Sequence, residues 1–83
     1  MMEAGYVFNN AGMRLTVIEF CTVGSRNVGL FQRESDGMYI TARNTSKEKD
    51  GTYSWAWGHY LASRDNAETD YQKRLKEMLS YKD

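Results

Sequence analysis

The sequence predicts an α+β fold, an antiparallel meander of three to four strands with one C-terminal amphipathic helix packed on one face. Three observations predict it. Gly5, Gly12, Gly24, Gly37 and Gly51 cut the first part of the chain into short segments rich in β-branched and aromatic residues. Two of these glycines follow aspartates, Asp36-Gly37 and Asp50-Gly51, between strand-like runs. Glycine accepts the positive φ that a tight hairpin demands. Beyond Leu61 the apolar pattern changes from period two to a period of about 3.6.

Taken in order, residues 1–12 read as an N-terminal arm or short strand, with Tyr6-Val7-Phe8 extended and Asn9-Asn10-Ala11-Gly12 a turn. Residues 13–61 read as the antiparallel sheet. Within it, 14–23 is a strand with apolar residues on both faces. Leu15, Val17 and Cys21 share one face with Glu19, and Thr16, Ile18 and Phe20 share the other. Such a strand is usually central or covered twice. Residues 28–33 form the next strand, with Val28 and Leu30 opposed to Phe31, and 38–44 pairs back after the Asp36-Gly37 turn. The polar stretch 45–51 reads as an exposed hairpin loop. In 52–61, Tyr53, Trp55, Trp57, His59 and Leu61 point one way and Ser54, Ala56, Gly58 and Tyr60 the other, on strict alternation. Gly58 marks a bulge or a close backbone approach.

The helix is expected over 65–81. Asp65 stands as its N-cap with Glu68 three residues on, as in a capping box. Ala67, Tyr71, Leu75, Met78 and Leu79 make its apolar stripe. Acidic residues early and Lys73, Arg74 and Lys76 later suit the helix dipole. One helix covers one sheet face, so the other is left with apolar surface for a partner.

The 83 residues give room for a single domain over 1–83. Eleven basic residues balance eleven acidic ones, which excludes the broad field of a generic nucleic-acid or membrane-surface binder. No apolar run approaches the roughly 20 residues a membrane span needs, and the start shows no signal peptide. Cys21 and His59 are the single cysteine and histidine. Two such ligands cannot fill a structural zinc site, and a lone cysteine in an apolar run reads as a small buried hydrophobe in a reducing, cytoplasmic compartment. Asp36, Asp50, Asp65 and Asp70 are explained by turns and caps. No phosphate-binding glycine loop, Cys-x-x-Cys or His-Glu-x-x-His is present, so no catalytic residue, metal ligand or cofactor is assigned and the chain reads as a non-enzyme.

The candidate binding residues are Tyr39, Arg43, Tyr53, Trp55, Trp57, His59, Tyr60 and Arg64. Tryptophan and tyrosine give large rigid contact area at small entropic cost and concentrate at binding hot spots. Arg26, Arg33, Arg43 and Arg64, with Lys47 and Lys49, lie in loops or at strand ends, where arginine meets phosphate or acidic groups. His59 is the sole candidate general base, without a nucleophile or orienting group beside it in the sequence.

The run Trp57-Gly58-His59-Tyr60, followed by a helix with Ala67, Asp70-Tyr71 and Lys73-Arg74 and preceded by Met38-Tyr39-Ile40-Thr41, resembles small uncharacterised proteins of Firmicutes phages and integrative and conjugative elements. The resemblance covers residues 28–76 and brings no catalytic or binding residue with it. It implies a mobile-element origin, and by analogy a compact inhibitor of a host protein such as a defence nuclease, as anti-CRISPR proteins are. Two alternatives stand beside that expectation. One is a homo-oligomeric binder that sequesters a signalling nucleotide, with Trp57 or Tyr39 stacked on the base and Arg43 or Arg64 on phosphate. The other is an enzyme using His59. Self-association is compatible with the first two readings.

Overall fold

The computed structural model describes residues 2–80. Five strands, β1 (Val7–Asn10), β2 (Met13–Val23), β3 (Arg26–Arg33), β4 (Tyr39–Lys47) and β5 (Tyr53–Leu61), precede the helix α1 (Arg64–Ser80). The strands form one antiparallel sheet in chain order. The fold is thus α+β, with more strands than the three to four expected. The addition is β1, which pairs along β2 from Val7 opposite Thr16 to Asn10 opposite Met13. Its turn is Ala11-Gly12 alone, with φ of 48° and 80°, the two left-handed residues of a primed hairpin.

Two other boundaries move. β4 continues to Lys47, so the loop expected over 45–51 contracts to 48–52. The Glu48 amide donates to the Thr52 carbonyl at 2.7 Å, and Asp50 accepts from the Thr52 amide at 3.0 Å. The helix begins one residue early because Ser63, not Asp65, caps it. The Ser63 hydroxyl accepts from the Asn66 amide at 3.3 Å and its carbonyl from the Ala67 amide at 3.0 Å. Position 81 of the expected helix lies outside the described residues.

The sheet has two cores. On the helix side Val28, Leu30, Ala67, Tyr71 and Met78 are buried, with Ile18, Cys21, Tyr39, Leu61 and Leu75 against them. Burial pushes the Tyr71 hydroxyl up to about 12, with the nearby charges of Glu19 and Cys21 adding to the shift. On the opposite face Phe8, Leu15, Val17, Phe31, Ile40 and Ala42 are buried, with Phe20, Tyr53 and Trp55 packed on them. This second face was expected to remain open for a partner. Instead the sheet curls until β1 meets β5. Asn10 donates from Nδ2 to the Tyr53 carbonyl at 2.6 Å, and the Tyr6 and Tyr53 hydroxyls lie 3.4 Å apart. Phe8 sits inside the curl, edge-on to Phe31 at 4.9 Å, Tyr53 at 5.3 Å and Trp55 at 6.5 Å between ring centroids.

A bulge in β2 redistributes its side chains. Val17 pairs with Phe31 but Glu19 with Leu30, so one extra residue stands on β2 and the alternation reverses. Leu15, Val17 and Phe20 therefore serve the curled face, while Ile18 and Cys21 serve the helix side. The expected grouping of Cys21 with Leu15 and Val17 is corrected by that one residue. Opposite Phe20 stands Gly29. A Cβ there would lie 2.3 Å from the Phe31 ring and 3.0 Å from Phe20, so glycine makes room for both rings.

The closure predicts an asymmetric cost for truncating the short first strand. Phe8→Ala removes the ring that bridges β1 to β3 and β5, and is expected to lower unfolding free energy by about 3–5 kcal/mol in a denaturant titration. Val7→Ala, on the exposed side of the same strand, is expected to cost less than about 1 kcal/mol.

Candidate functional site

β5 carries most of the candidate residues, and its alternation is broken midway. Thr41 pairs with His59 and Arg43 with Ala56, so three steps on β5 match two on β4. The extra residue falls at Trp57-Gly58, and Trp57 adopts a φ of 55°. The next irregularity, between Arg43 and Ser46, puts an extra residue on β4 with Asn44 at φ 52° and restores the register. The large row is therefore divided. Tyr53 and Trp55 enter the curled core, and Leu61 packs on the helix side. Trp57 serves neither, with 75% of its surface exposed.

Trp57 is an unusual residue for that conformation. The left-handed region costs a residue with a Cβ roughly 1–2 kcal/mol, and glycine stands next door unused for it. Gly58 has another duty, since a Cβ there would lie 2.6 Å from Nε1 of Trp55. The bulge thus turns one indole outward while keeping space for the other beneath it. Three positions on, Tyr60 is half exposed, with the Arg33 guanidinium 5.8 Å above its ring.

His59 faces the helix. Its Nδ1 lies 2.9 Å from Oδ2 of Asp70, and Nη2 of Arg74 lies 2.7 Å from its Nε2. A guanidinium can only donate, so Nε2 accepts and Nδ1 carries the proton given to Asp70. Thr41 donates its hydroxyl to the same carboxylate, and Arg74 Nε stands 3.5 Å from it. Burial pushes the Asp70 carboxyl up. The hydroxyl of Thr41, the His59 hydrogen bond and the charge of Arg74 outweigh burial and hold it below the ordinary carboxylate range. The histidine ring is thereby used as a strut. In this arrangement its basic nitrogen is occupied by Arg74 and is not offered to a substrate.

The remaining candidates are dispersed. Tyr39 is half-buried in the helix-side core. Arg43 meets Glu77 near the end of α1 at 3.4 Å, whereas Arg64, at the start of α1, meets Glu68 one turn on at 3.2 Å. These two arginines meet the helix at separate points, Glu68 and Glu77, about 14 Å apart at 1.5 Å per residue. Tyr53 lies at the seam with Tyr6.

The residue that sequence reasoning missed is Arg74. The sequence offers it only as a cation suited to the helix dipole, yet it is 4% exposed. Leu79, expected in the stripe, is exposed instead. Position 74 follows Ala67 by seven residues and Tyr71 by three, so spacing alone placed it on the buried stripe, and its charge concealed it. Among the described residues, no group of three His, Cys, Asp or Glu side chains converges as metal ligands would, and no helix is long and apolar enough to cross a membrane.

The Asp70 hub sets an acid dependence. A carboxyl whose folded pKa is lowered contributes stability above its unfolded pKa of about 3.9 and loses it as pH falls through the folded value. Asp36, held at about 2 by the Arg33 guanidinium and the Met38 amide, acts with the same sign. Asp70→Asn is expected to lose about 3 kcal/mol at neutral pH, since it weakens the partner of a buried Arg74. The gap from wild type should shrink as unfolding is measured at falling pH below about 4, and a pH-independent gap would refute the hub. Comparison of the chain with protein-family models, with curated proteins and with solved structures found no match.

Proposed function

We propose that the protein is a non-enzymatic binding module that engages a protein partner through the exposed rings of β5, with Trp57 as the anchor. The observation that carries the reading is the placement of Trp57. A bulky ring is held in a left-handed backbone conformation and 75% exposed, where it contributes little to either core. Strained residues persist where the fold over-determines them, and they cluster at sites of recognition and catalysis. Tryptophan is also among the residues most enriched at interface hot spots.

β5 is the edge of the sheet, which raises strand addition as a mode of binding. The bulge weighs against it, because an extra residue and a twisted backbone interrupt the ladder a second strand would need. Recognition therefore rests on side chains. The mobile-element setting implied by the sequence resemblance makes a host protein, such as a defence nuclease, the partner of choice. The occupied Nε2 of His59 favours binding over catalysis. A nucleotide-sequestering oligomer built on Tyr39, Trp57, Arg43 and Arg64 is less favoured, because its two arginines meet α1 at separate points.

Trp57→Gly separates function from stability. Glycine accepts the left-handed conformation, so the variant is expected to melt at the wild-type temperature or a few degrees above it. Affinity for the partner recovered by stoichiometric co-purification from host cells should fall about 30-fold, the loss of a hot spot of about 2 kcal/mol. Undiminished binding by this variant, or no stoichiometric partner for wild type, would overturn the reading.

A further inference from the structure

A second feature lies where the C-terminal half of α1 crosses β3 and β4. There a cavity of about 180 Å³ is lined by Arg26, Asn27, Arg43, Asn44 and Arg74, with Met78 on its apolar side. Three arginines from three different elements converge on it, and among the described residues none of those lining it is a carboxylate. Trp57 and Tyr60 take no part, so this site stands apart from the β5 surface.

The walls are fixed before any ligand arrives. Asn27 donates from Nδ2 to the Thr45 carbonyl at 3.0 Å and accepts the Thr45 amide on Oδ1 at 2.8 Å. That clamp holds β3 to β4 beside the left-handed Asn44. Arg43 is positioned by Glu77 at 3.4 Å. Arg74 is anchored through Nη2 to His59 at 2.7 Å. Its Nη1 is buried with no hydrogen-bond partner among the described residues, while its Nε, also without a hydrogen bond, faces the Asp70 carboxylate at 3.5 Å. A buried guanidinium with unmet donors is costly, and such a group in a folded protein calls for a ligand, an ion or an ordered water. Arg43 also repels it, one of the influences that hold the Arg74 pKa below its ordinary value after burial itself. An anion in the cavity would offset the repulsion and meet the unmet Nη1 donor together.

We propose that this cavity binds the phosphate group of a small phosphorylated molecule. A carboxylate presents two oxygens in a plane, which one guanidinium fork satisfies. Guanidinium groups approaching from β3, β4 and α1 suit a tetrahedral group with oxygens in several directions. The volume accommodates a phosphate with room for part of the group that carries it. Arg74 supplies the floor, and Arg26 and Arg43 supply the rim.

Thermal melting at matched ionic strength tests this with four probes: inorganic phosphate, ribose 5-phosphate, ribose and acetate. Both phosphates are expected to raise the melting temperature with saturation, and ribose and acetate to leave it unchanged. Equal shifts from the two phosphates assign the site to the phosphate group itself, and a larger one from the ester assigns it to a phosphate-bearing metabolite. Arg43→Ala and Arg26→Ala, both on the rim, should fold and weaken phosphate binding about tenfold or more. Arg64→Ala and Trp57→Gly should bind as wild type does. In heteronuclear spectra of the wild-type protein, the Arg74 side-chain resonances should shift on phosphate titration. Acetate acting like phosphate, phosphate binding undiminished in both rim variants, or a phosphate titration without effect would overturn the proposal. None of these results bears on Trp57, so the two sites stand or fall separately.

Discussion

One helix can cover one face of a sheet, and the structure depends on how the other face is closed. Phe8 closes it. The ring comes from the short first strand, enters the concave side and meets Phe31, Tyr53 and Trp55 edge-on. Without that plug Leu15, Val17, Ile40 and Ala42 would face water across the curl. The apolar rows on both faces of β2, β3 and β4 make sense once each has its own cover, α1 on one side and the returning edge of the sheet on the other. A small domain with a thin core thereby commits Tyr6, Phe8, Phe20, Phe31, Tyr53 and Trp55 to closure.

Curling the sheet this far requires bulges, and the bulges decide which side chains reach the surface. The extra residue in β2 sends Phe20 and Cys21 to opposite cores. The extra residue in β5 sends Trp55 inward and Trp57 outward, and turns His59 and Leu61 toward α1. Without it, strict alternation would have put Trp57 beside Trp55. The paired irregularity in β4 places Asn44 at the cavity edge. Both proposed sites thus arise from the same deformation of the β4–β5 hairpin, although they lie on different elements and have different chemistry.

Much of this fold was legible in the sequence, because the signals were local. The Asp36-Gly37 and Asp50-Gly51 turns, the strand order and the helix follow from residues near one another in the chain. Gly58 even announced an irregularity. What could not be read is non-local. No composition marks Tyr6-Val7-Phe8 as a strand rather than an arm, since its partners are β2 and a strand more than forty residues on. The faces of β2 and β5 were misassigned from the bulges onward, because one inserted residue reverses everything after it. Arg74 was misread for a different reason. Its spacing belonged to the buried stripe, but burying a guanidinium is justified only by His59 and Asp70, which meet it through the tertiary fold. Among the candidate aromatic residues of β5, it is the backbone that separates Tyr53 and Trp55, used for closure, from Trp57 and Tyr60, left outside.

The central claim is that the chain closes both faces of its sheet by itself. Native-state amide hydrogen exchange tests it directly at Val17, whose N–H donates to the Tyr6 carbonyl at 2.8 Å at the start of β1. If β1 is part of the closed core, the Val17 amide opens with a free energy close to that of Leu30 in the centre of the sheet, and it does so at any protein concentration. Fast exchange at Val17 with Leu30 still protected, or protection that appears only as concentration rises, would contradict the account.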